Sequence, residues 1–234
     1  MEIAAIQRPM FRSVLNRLVI FFSFSVVFAQ NDPQATYLKQ AETFAEEVAA
    51  ITEGPVPTWD TGIIVFTGSS SVRLWRDAGL LSKGSPIINT GFGGSTAFGL
   101  NHYLEDLVLR YDPKQVFIYE GDNDIAAGRD TRTILEHLDT IFTRIWEHNP
   151  GTEIVYIAAK PSPLRWELRK EYEALNKAIE RRAKKEDRLV FADVYSPMLE
   201  KGQVRGDLFV EDRLHMNRKG YAIWAEVIRP LVME

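Results

Sequence analysis

From Gly62 to the C-terminus, the sequence alternates between short runs rich in Ile, Val, Phe and Tyr and longer amphipathic stretches. Five of the short runs predict β-strands, at Ile63–Thr67, Ile87–Asn89, Gln115–Glu120, Glu153–Ala159 and Leu189–Asp193. Each is apolar on both faces, which is typical of parallel strands buried between helices. The alternation therefore predicts an α/β protein, a three-layer αβα sandwich around a five-stranded parallel sheet.

The amphipathic stretches predict the helices of this sandwich. They lie at Val72–Leu80, Leu100–Arg110, Thr131–His148, Trp166–Lys185 and Arg218–Val232. A further helix over Ala35–Ile51 is expected to pack on the outside of the main fold. We therefore assign residues 30–61 to an N-terminal helix with its connecting segment and residues 62–234 to the main domain.

The first 29 residues have the layout of a secretory signal peptide. Arg8, Arg12 and Arg17 precede an apolar stretch from Leu18 to Ala29, and polar residues follow directly. The stretch is shorter than the ~20 residues that a membrane-spanning helix needs. We predict cleavage after Ala29, a secreted or periplasmic protein and no stable membrane span once the signal is removed. An uncleaved signal anchor is the alternative.

Composition excludes several classes of function. The net charge is −4 and the charges of both signs are interspersed, so the chain has no basic footprint for nucleic acid. Cysteine is absent, which excludes disulfides, thiolate zinc sites and a cysteine nucleophile. Oligomeric state is left open.

Polar and glycine-rich segments follow the first three predicted strands, and another precedes the last helix. They are Thr67–Ser71, Asn89–Ser95, Glu120–Asp124 and Asp212–Asn217. In open parallel sheets the binding crevice lies beyond the carboxyl ends of the strands. These segments are therefore expected to meet in one site.

A histidine in one of these segments has a carboxylate close to it in sequence. His215 lies three residues after Asp212, close enough for the carboxylate to orient the imidazole as a general base. A helix-start cap is the alternative for such a pair. His102, His137 and His148 fall in predicted helices, where they are expected to face solvent or the outer layer.

The serine cluster after the first strand offers a nucleophile. A hydroxyl at the start of the following helix lies among free backbone N–H groups, which can also stabilise an oxyanion. Ser69, Ser70 and Ser71 are the candidates, and helix capping is the alternative role. The backbone N–H of Gly94 and the side-chain amide of Asn123 would complete an oxyanion hole.

Other roles remain open for the same glycine and carboxylate segments. Gly93 and Gly94 are also typical of an ordinary loop, and the segment around Asn123 is typical of a turn. Asp122 and Asp124 could instead bind Mg²⁺.

In their order along the chain, these segments resemble the SGNH/GDSL hydrolases, the GDSL-like lipase/acylhydrolase family. The resemblance runs from about Gly62 to the C-terminus and implies the flavodoxin-like SGNH hydrolase fold. It places the nucleophile at Ser70, the triad partners at Asp212 and His215, and the oxyanion hole at Ser70, Gly94 and Asn123. It implies no cofactor and no metal.

One position departs from the family pattern. The family usually has Gly-Asp-Ser before the first helix, whereas this chain has Gly68-Ser69-Ser70. The hydrogen bonding around the nucleophile is therefore not fixed by the resemblance, and Ser69 and Ser71 remain competitors. The Gly-x-Ser-x-Gly elbow of the α/β-hydrolases is absent, since Val72 occupies the position of its second glycine.

The resemblance implies a secreted serine esterase that acts on small-molecule or glycan esters. The alternatives are a lysophospholipase or thioesterase of the same family, a catalytically silent ligand-binding protein and a metal-dependent phosphoesterase. Lys160–Trp166 is either a substrate contact or a rigid loop. Five aromatic residues are candidates for a pocket lining or for the core: Trp75, Phe92, Phe98, Trp166 and Phe209.

Overall fold

A five-stranded parallel sheet forms the centre of the computed structural model, which describes residues 33–82 and 84–234. Its strands are β1 (Ile64–Gly68), β2 (Ile87–Asn89), β3 (Gln115–Tyr119), β4 (Glu153–Ile157) and β5 (Leu189–Ala192). Their order is β2-β1-β3-β4-β5, and every neighbouring pair is parallel. The predicted α/β fold is confirmed, and each strand ends within two residues of its predicted bounds.

Nine α-helices lie in the described ranges. They are α1 (Pro33–Glu42), α2 (Ala45–Ile51), α3 (Ser70–Arg73), α4 (Ala97–His102), α5 (Leu104–Leu107), α6 (Asp122–Ala126), α7 (Thr131–His148), α8 (Arg169–Ala183) and α9 (Arg218–Ile228). Short 3-10 turns lie at Ala78–Leu81, Leu109–Tyr111, Trp166–Leu168, Ser196–Met198, Gly206–Leu208 and Arg229–Leu231. A small antiparallel hairpin joins β6 (Leu199–Glu200) to β7 (Gln203–Val204).

The helices cover both faces of the sheet, as the alternation predicts. On one face α9 packs beside the turn Ala78–Leu81, and its Trp224 is fully buried against Trp75 and Tyr119. Helices α1, α4, α7 and α8 pack against one another in the other layer. Because the chain leaves β1 for β2 on one side and returns to β3 on the other, a crevice is expected beyond β1 and β3.

Two predicted helices are interrupted. The helix predicted over Ala35–Ile51 breaks between α1 and α2, where the Phe44 ring packs edge-on against Phe92 at 5.4 Å. The helix predicted over Val72–Leu80 stops at Arg73, because the Asn89 side chain donates to the carbonyl oxygens of Val72 and Trp75 at 2.8 and 3.4 Å. Both interruptions arise from contacts distant in sequence.

A third predicted helix is also divided, and the remaining ones differ from the prediction at most at their ends. The stretch Leu100–Arg110 divides into α4, α5 and a 3-10 turn, and α8 and α9 are each shorter than predicted because a 3-10 turn replaces one end. Helix α7 matches its predicted bounds, and the Asp130 carboxylate caps it by accepting the Thr133 N–H at 2.8 Å. Helix α6 was not predicted.

No helix in the described part of the chain is long and apolar enough to cross a membrane. The predicted signal peptide, residues 1–29, lies outside the described residues.

Gly68 gives a test of how tightly β1 and β3 are packed. It has a φ of +120°, and a methyl group added there would overlap the carbonyl oxygen of Tyr119. We expect Gly68→Ala to lower the free energy of unfolding by at least ~2 kcal/mol, measured by urea denaturation. Gly79→Ala is the matched control, since nothing lies within 4 Å of its added methyl. Equal stability of the two variants would contradict this account.

Candidate active site

A line of hydrogen bonds joins three side chains at the carboxyl end of the sheet. The Ser70 Oγ lies 2.9 Å from the His215 Nε2, and the His215 Nδ1 lies 2.6 Å from the Asp212 Oδ2. Ser70 is the first residue of α3, directly after β1, whereas the other two lie in the loop before α9. The fold therefore brings together residues 145 positions apart in the sequence.

The loop that carries the histidine is shaped by the same carboxylate that orients its ring. The Asp212 Oδ1 accepts the backbone N–H groups of Leu214 and His215, each at 2.8 Å, while Oδ2 faces the ring. Arg213 takes a left-handed conformation with φ of 61°, which allows this tight turn. A short antiparallel pairing, in which the Val210 N–H donates to the His215 carbonyl at 2.9 Å, closes the loop.

The hydrogen bonds to Asp212 decide its protonation. Desolvation acts to raise the pKa of this carboxyl group, but the hydrogen bonds from the His215 ring and from the backbone N–H groups of His215 and Leu214 outweigh it. The pKa of Asp212 is lowered to about 2. The group is therefore a carboxylate over the whole neutral range, which favours the His215 tautomer with a proton on Nδ1 and a free acceptor at Nε2.

Burial distinguishes the three serines of the cluster. Ser69 is fully buried and Ser71 is 2% exposed, whereas Ser70 is only partly buried. The Ser69 hydroxyl donates to the Asp122 Oδ1 at 3.3 Å. Of the three, Ser70 alone combines exposure with contact to the histidine.

Ser69, which stands where the family pattern has aspartate, lies against another carboxylate in the structure. At position 69 the usual carboxylate is replaced by a hydroxyl, and that hydroxyl contacts the carboxylate of Asp122, which follows β3. The Tyr119 hydroxyl donates to the other oxygen of Asp122 at 3.1 Å, and Arg165 lies 3.5 Å from it. A carboxylate therefore still lies beside residue 69, but a different loop supplies it.

The oxyanion hole is predicted to include the backbone N–H of Gly94 and the side-chain amide of Asn123. These groups lie in two neighbouring segments that are joined by a hydrogen bond. Gly94 is exposed, with φ of 67°, in the loop after β2. Asn123, in α6, donates from its Nδ2 to the carbonyl oxygen of Ser95 at 2.8 Å. That bond uses one of the two amide hydrogens of Asn123, and the second remains as a donor.

Ser95, which connects these two loops, is held from both ends. Its carbonyl accepts from Asn123, and its hydroxyl donates to the Oε1 of Glu120 at 2.5 Å. Glu120 is fully buried, and burial, reinforced by nearby Asp124, raises the pKa of its carboxyl well above the usual range. Glu120 supports the loop from beneath, a role that its sequence position did not indicate.

Arg165 contacts the segment around Asn123 at several points. Its guanidinium donates to the Asn123 Oδ1 and to the Asp122 carbonyl oxygen, each at 3.1 Å. Because a guanidinium can only donate, this contact turns Oδ1 of Asn123 toward Arg165 and leaves Nδ2 for the loop side. The Tyr172 hydroxyl also donates to the Asp122 carbonyl, at 3.3 Å.

The segment that carries Arg165 also holds the histidine loop. The Lys160 Nζ donates to the carbonyl oxygen of Leu214 at 2.8 Å, and the Leu164 N–H donates to that of Arg213 at 3.0 Å. The sequence leaves Lys160–Trp166 open between substrate contact and rigid loop, and in the structure these two bonds make the segment a brace for the histidine loop. Sequence analysis missed the roles of Lys160 and Arg165; their position after β4 was the available signal.

The carboxylates considered for Mg²⁺ have other partners. The Asp124 Oδ1 accepts from Arg129 at 2.7 Å, and its Oδ2 accepts the Ala97 N–H at 3.0 Å. Asp122 bonds Ser69, Tyr119 and Arg165 as described. Within residues 33–82 and 84–234, no group of three or more His, Asp or Glu side chains is arranged to hold a metal ion. The arrangement gives no support to a Mg²⁺ site.

None of the other three histidines is hydrogen-bonded to these site residues in the described ranges, and most of the candidate pocket aromatics belong to the core. His102 is exposed on α4, and His148 is near Asp112 at 3.7 Å. His137 is half-buried in the outer layer, where Tyr37 and Phe98 pack against its ring. Of the five aromatics that could line a pocket, three are core residues, exposed by 7% or less: Trp75, Phe92 and Phe209.

The family profile of the GDSL-like lipases and acylhydrolases matches residues 51–223, and the chain belongs to this family. Membership supports a hydrolase that acts on esters. No curated protein gives a significant match.

Solved structures with the same fold include a GDSL-like lipase from Bacteroides thetaiotaomicron, with 21% identity and a TM-score of 0.68 over 82% of this chain and 96% of that one. A Streptococcus pneumonia protein described provisionally as a platelet activating factor has 20% identity and a TM-score of 0.71, over 85% and 95% of the two chains. An acetyl esterase mutant with an acetate ion has 19% identity and a TM-score of 0.58, over 73% and 95%. At these identities the likeness shows the fold.

The buried lysine of the brace predicts a pH dependence of stability. Burial lowers the pKa of Lys160 to about 8, against 10.5 for the ordinary side chain. Between these values the unfolded chain binds the proton that the folded chain has released, so stability rises with pH. Relative to Lys160→Met, the wild-type free energy of unfolding should rise by up to about 3 kcal/mol from pH 8 to pH 10.5.

Denaturant unfolding of both proteins across this pH range measures the difference in their free energies of unfolding. The contributions of all other ionisable groups cancel in this difference. Curves that stay parallel would contradict a neutral Lys160 in the folded protein.

Proposed function

We propose that this protein is a serine esterase in which Ser70 attacks the ester carbonyl and His215 acts as general base. The observation that carries the proposal is the contact of the Ser70 Oγ with the His215 Nε2 at 2.9 Å, with Asp212 bonded to the opposite ring nitrogen at 2.6 Å. A nucleophile, a base and an orienting acid in this sequence of contacts are what acyl transfer through a serine requires.

The reaction has two halves. His215 takes the proton of Ser70 as Oγ bonds to the carbonyl carbon, and the carbonyl oxygen becomes an oxyanion. Donors for it are the backbone N–H groups of Ser70 and Gly94 and the Nδ2 of Asn123. His215 then gives the proton to the leaving alcohol, which departs as the C–O bond breaks. In the second half His215 deprotonates water as its oxygen bonds to the acyl carbon. The bond from that carbon to Oγ then breaks, His215 returns the proton to Oγ, and the acid leaves.

The substrate that we propose is an ester of a small acyl group, such as an acetylated glycan or another acetylated alcohol. An acetyl esterase with the same fold supports this choice, because its name states that it acts on acetyl esters. Export follows from the predicted signal peptide, and it would give the enzyme substrates outside the cytoplasm. Sequencing the N-terminus of the protein recovered from its producing cells tests cleavage after Ala29.

Replacement of the nucleophile gives the most direct test. Ser70→Ala should lower kcat for phenyl acetate by at least about 10³-fold and abolish labelling by a fluorophosphonate, because no other hydroxyl in the described ranges is hydrogen-bonded to His215. Ser69→Ala and Ser71→Ala serve as matched controls with the same atom removed. Retained labelling in folded Ser70→Ala, with loss in either control, would overturn the assignment.

Arg165 should act as a positioning residue for the oxyanion hole. Arg165→Met should lower kcat roughly 10- to 100-fold with little change in KM, because the Asn123 amide loses the contact that fixes its orientation. Arg165→Lys should restore little, since an ammonium cannot reproduce the two contacts of the planar guanidinium.

The double variant separates positioning from mere stability. In an Asn123→Ala background, Arg165→Met should have a much smaller effect on kcat, measured at a temperature where all variants are folded. Equal losses of kcat in the two backgrounds would show that Arg165 does not act through Asn123.

A further inference from the structure

A groove of about 600 Å³ lies between the turn Ala78–Leu81 and α9, on the face of the sheet that these two elements cover. Its lining includes three exposed apolar side chains, those of Leu74, Leu80 and Val210. The proposed mechanism uses none of them.

One wall of the groove contains Leu74, a neighbour of the proposed nucleophile Ser70. Leu74 follows Ser70 by four residues, and its backbone N–H donates to the Ser70 carbonyl oxygen at 2.9 Å. Residues four apart in a helical turn project from the same face, with Cβ atoms roughly 5–6 Å apart. The Leu74 side chain therefore lies beside that of Ser70.

Another part of the lining is Val210, a neighbour of the proposed general base His215. Val210 and His215 oppose each other across the short antiparallel pairing, next to the bridge between Phe209 and Met216. Opposed residues of such a pair project from the same face, with Cβ atoms about 5 Å apart. Leu74 and Val210 are therefore the lining residues next to Ser70 and His215, and one end of the groove adjoins this pair.

Part of the exposed lining of the groove is apolar. Leu74, Leu80 and Val210 are 38%, 72% and 44% exposed, and they are half of the large apolar side chains exposed in the described ranges. Trp75 and Tyr221, stacked with centroids 5.8 Å apart, also line it. Clustered exposure of this kind marks a binding surface, whereas isolated exposed apolar residues do not.

The charged residues of the lining are mostly basic. Arg76, Arg218 and Arg229 contribute to it, against one acidic residue, Asp77. In the described part of the chain no ion pair involves Arg76 or Arg218, and Arg229 donates to the Leu80 carbonyl oxygen at 3.1 Å. The charge favours a bound group that is neutral or anionic over one that is cationic.

We propose that this groove binds the alcohol portion of the ester, and that the acetylated alcohol of the proposed function is an apolar or aromatic, neutral or anionic one rather than a glycan. The inference rests on the proposed function. His215 must reach the leaving oxygen to protonate it, so the alcohol lies on the side of His215. The lining of the groove includes Met216 and Asn217, which directly follow His215, whereas Gly94 and Asn123 are not part of it.

Two substrate series separate the alcohol from the acyl group. One keeps the acetyl group and changes the alcohol, from phenyl acetate to 2-naphthyl acetate and its sulfonated analogue; the other keeps phenol and lengthens the acyl group to butyrate and octanoate. Leu80→Asn and Val210→Thr should reduce kcat/KM for both naphthyl esters about 10-fold, mainly through KM. Leu80→Asn should leave kcat/KM for phenyl acetate within twofold of the wild-type value. Both variants should leave the ratios within the acyl series within twofold.

The control is Leu38→Asn, which makes the same change at another exposed leucine, on α1 and outside the groove, and should alter neither series. Variants that instead shift the preference among acyl lengths, or that leave naphthyl esters unaffected, would overturn the proposal. Labelling of Ser70 by the fluorophosphonate distinguishes the two failures: a labelled, active wild-type enzyme with unchanged naphthyl kinetics contradicts only the groove. An unlabelled and inactive protein contradicts the proposed function, and the groove proposal with it.

Discussion

The close approach of β1 to β3 at Gly68 is the constraint on which the site depends. Beyond this point the Ser69 N–H donates to the Tyr119 carbonyl oxygen at 3.0 Å, and the Phe92 N–H donates to the Gly68 carbonyl at 2.9 Å. The main chains of the three loops that follow β1, β2 and β3 are thus bonded within a few residues of one another. These loops carry Ser70, Gly94 and Asn123, so the geometry of the proposed oxyanion hole is set by backbone contacts.

Side-chain hydrogen bonds hold the two parts of the site that these backbone contacts do not reach, the loop of His215 and the side chain of Asn123. The segment after β4 holds the histidine loop through Lys160 and the Asn123 loop through Arg165, so one rigid segment sets the distance between the two. Burying the lysine costs stability, as its lowered pKa indicates. A buried cation that is retained at such a cost, and that bonds the residue next to His215, is better explained by positioning than by stability.

The contact between Ser69 and Asp122 places a carboxylate from a segment distant in sequence beside the position where the family usually has an aspartate. The chain lacks the aspartate that usually precedes the nucleophile in this family, yet a carboxylate of the neighbouring loop lies beside that position. It also bonds Tyr119 and faces Arg165, which connects residue 69 to the brace. A buried carboxylate needs such donors whichever residue supplies it, because its charge is otherwise poorly solvated.

The sequence by itself determined the sheet, the layers and the segments that carry the chemistry, because apolar runs and glycine-rich loops are local patterns whose place in a parallel sheet follows from general topology. Only the tertiary structure decided which serine is accessible, since burial of Ser69 and Ser71 depends on distant residues. It likewise decided where the first helices break and that Lys160, Arg165 and Glu120 support the site. Those roles rest on contacts between segments far apart in the chain, which no spacing within one segment can reveal.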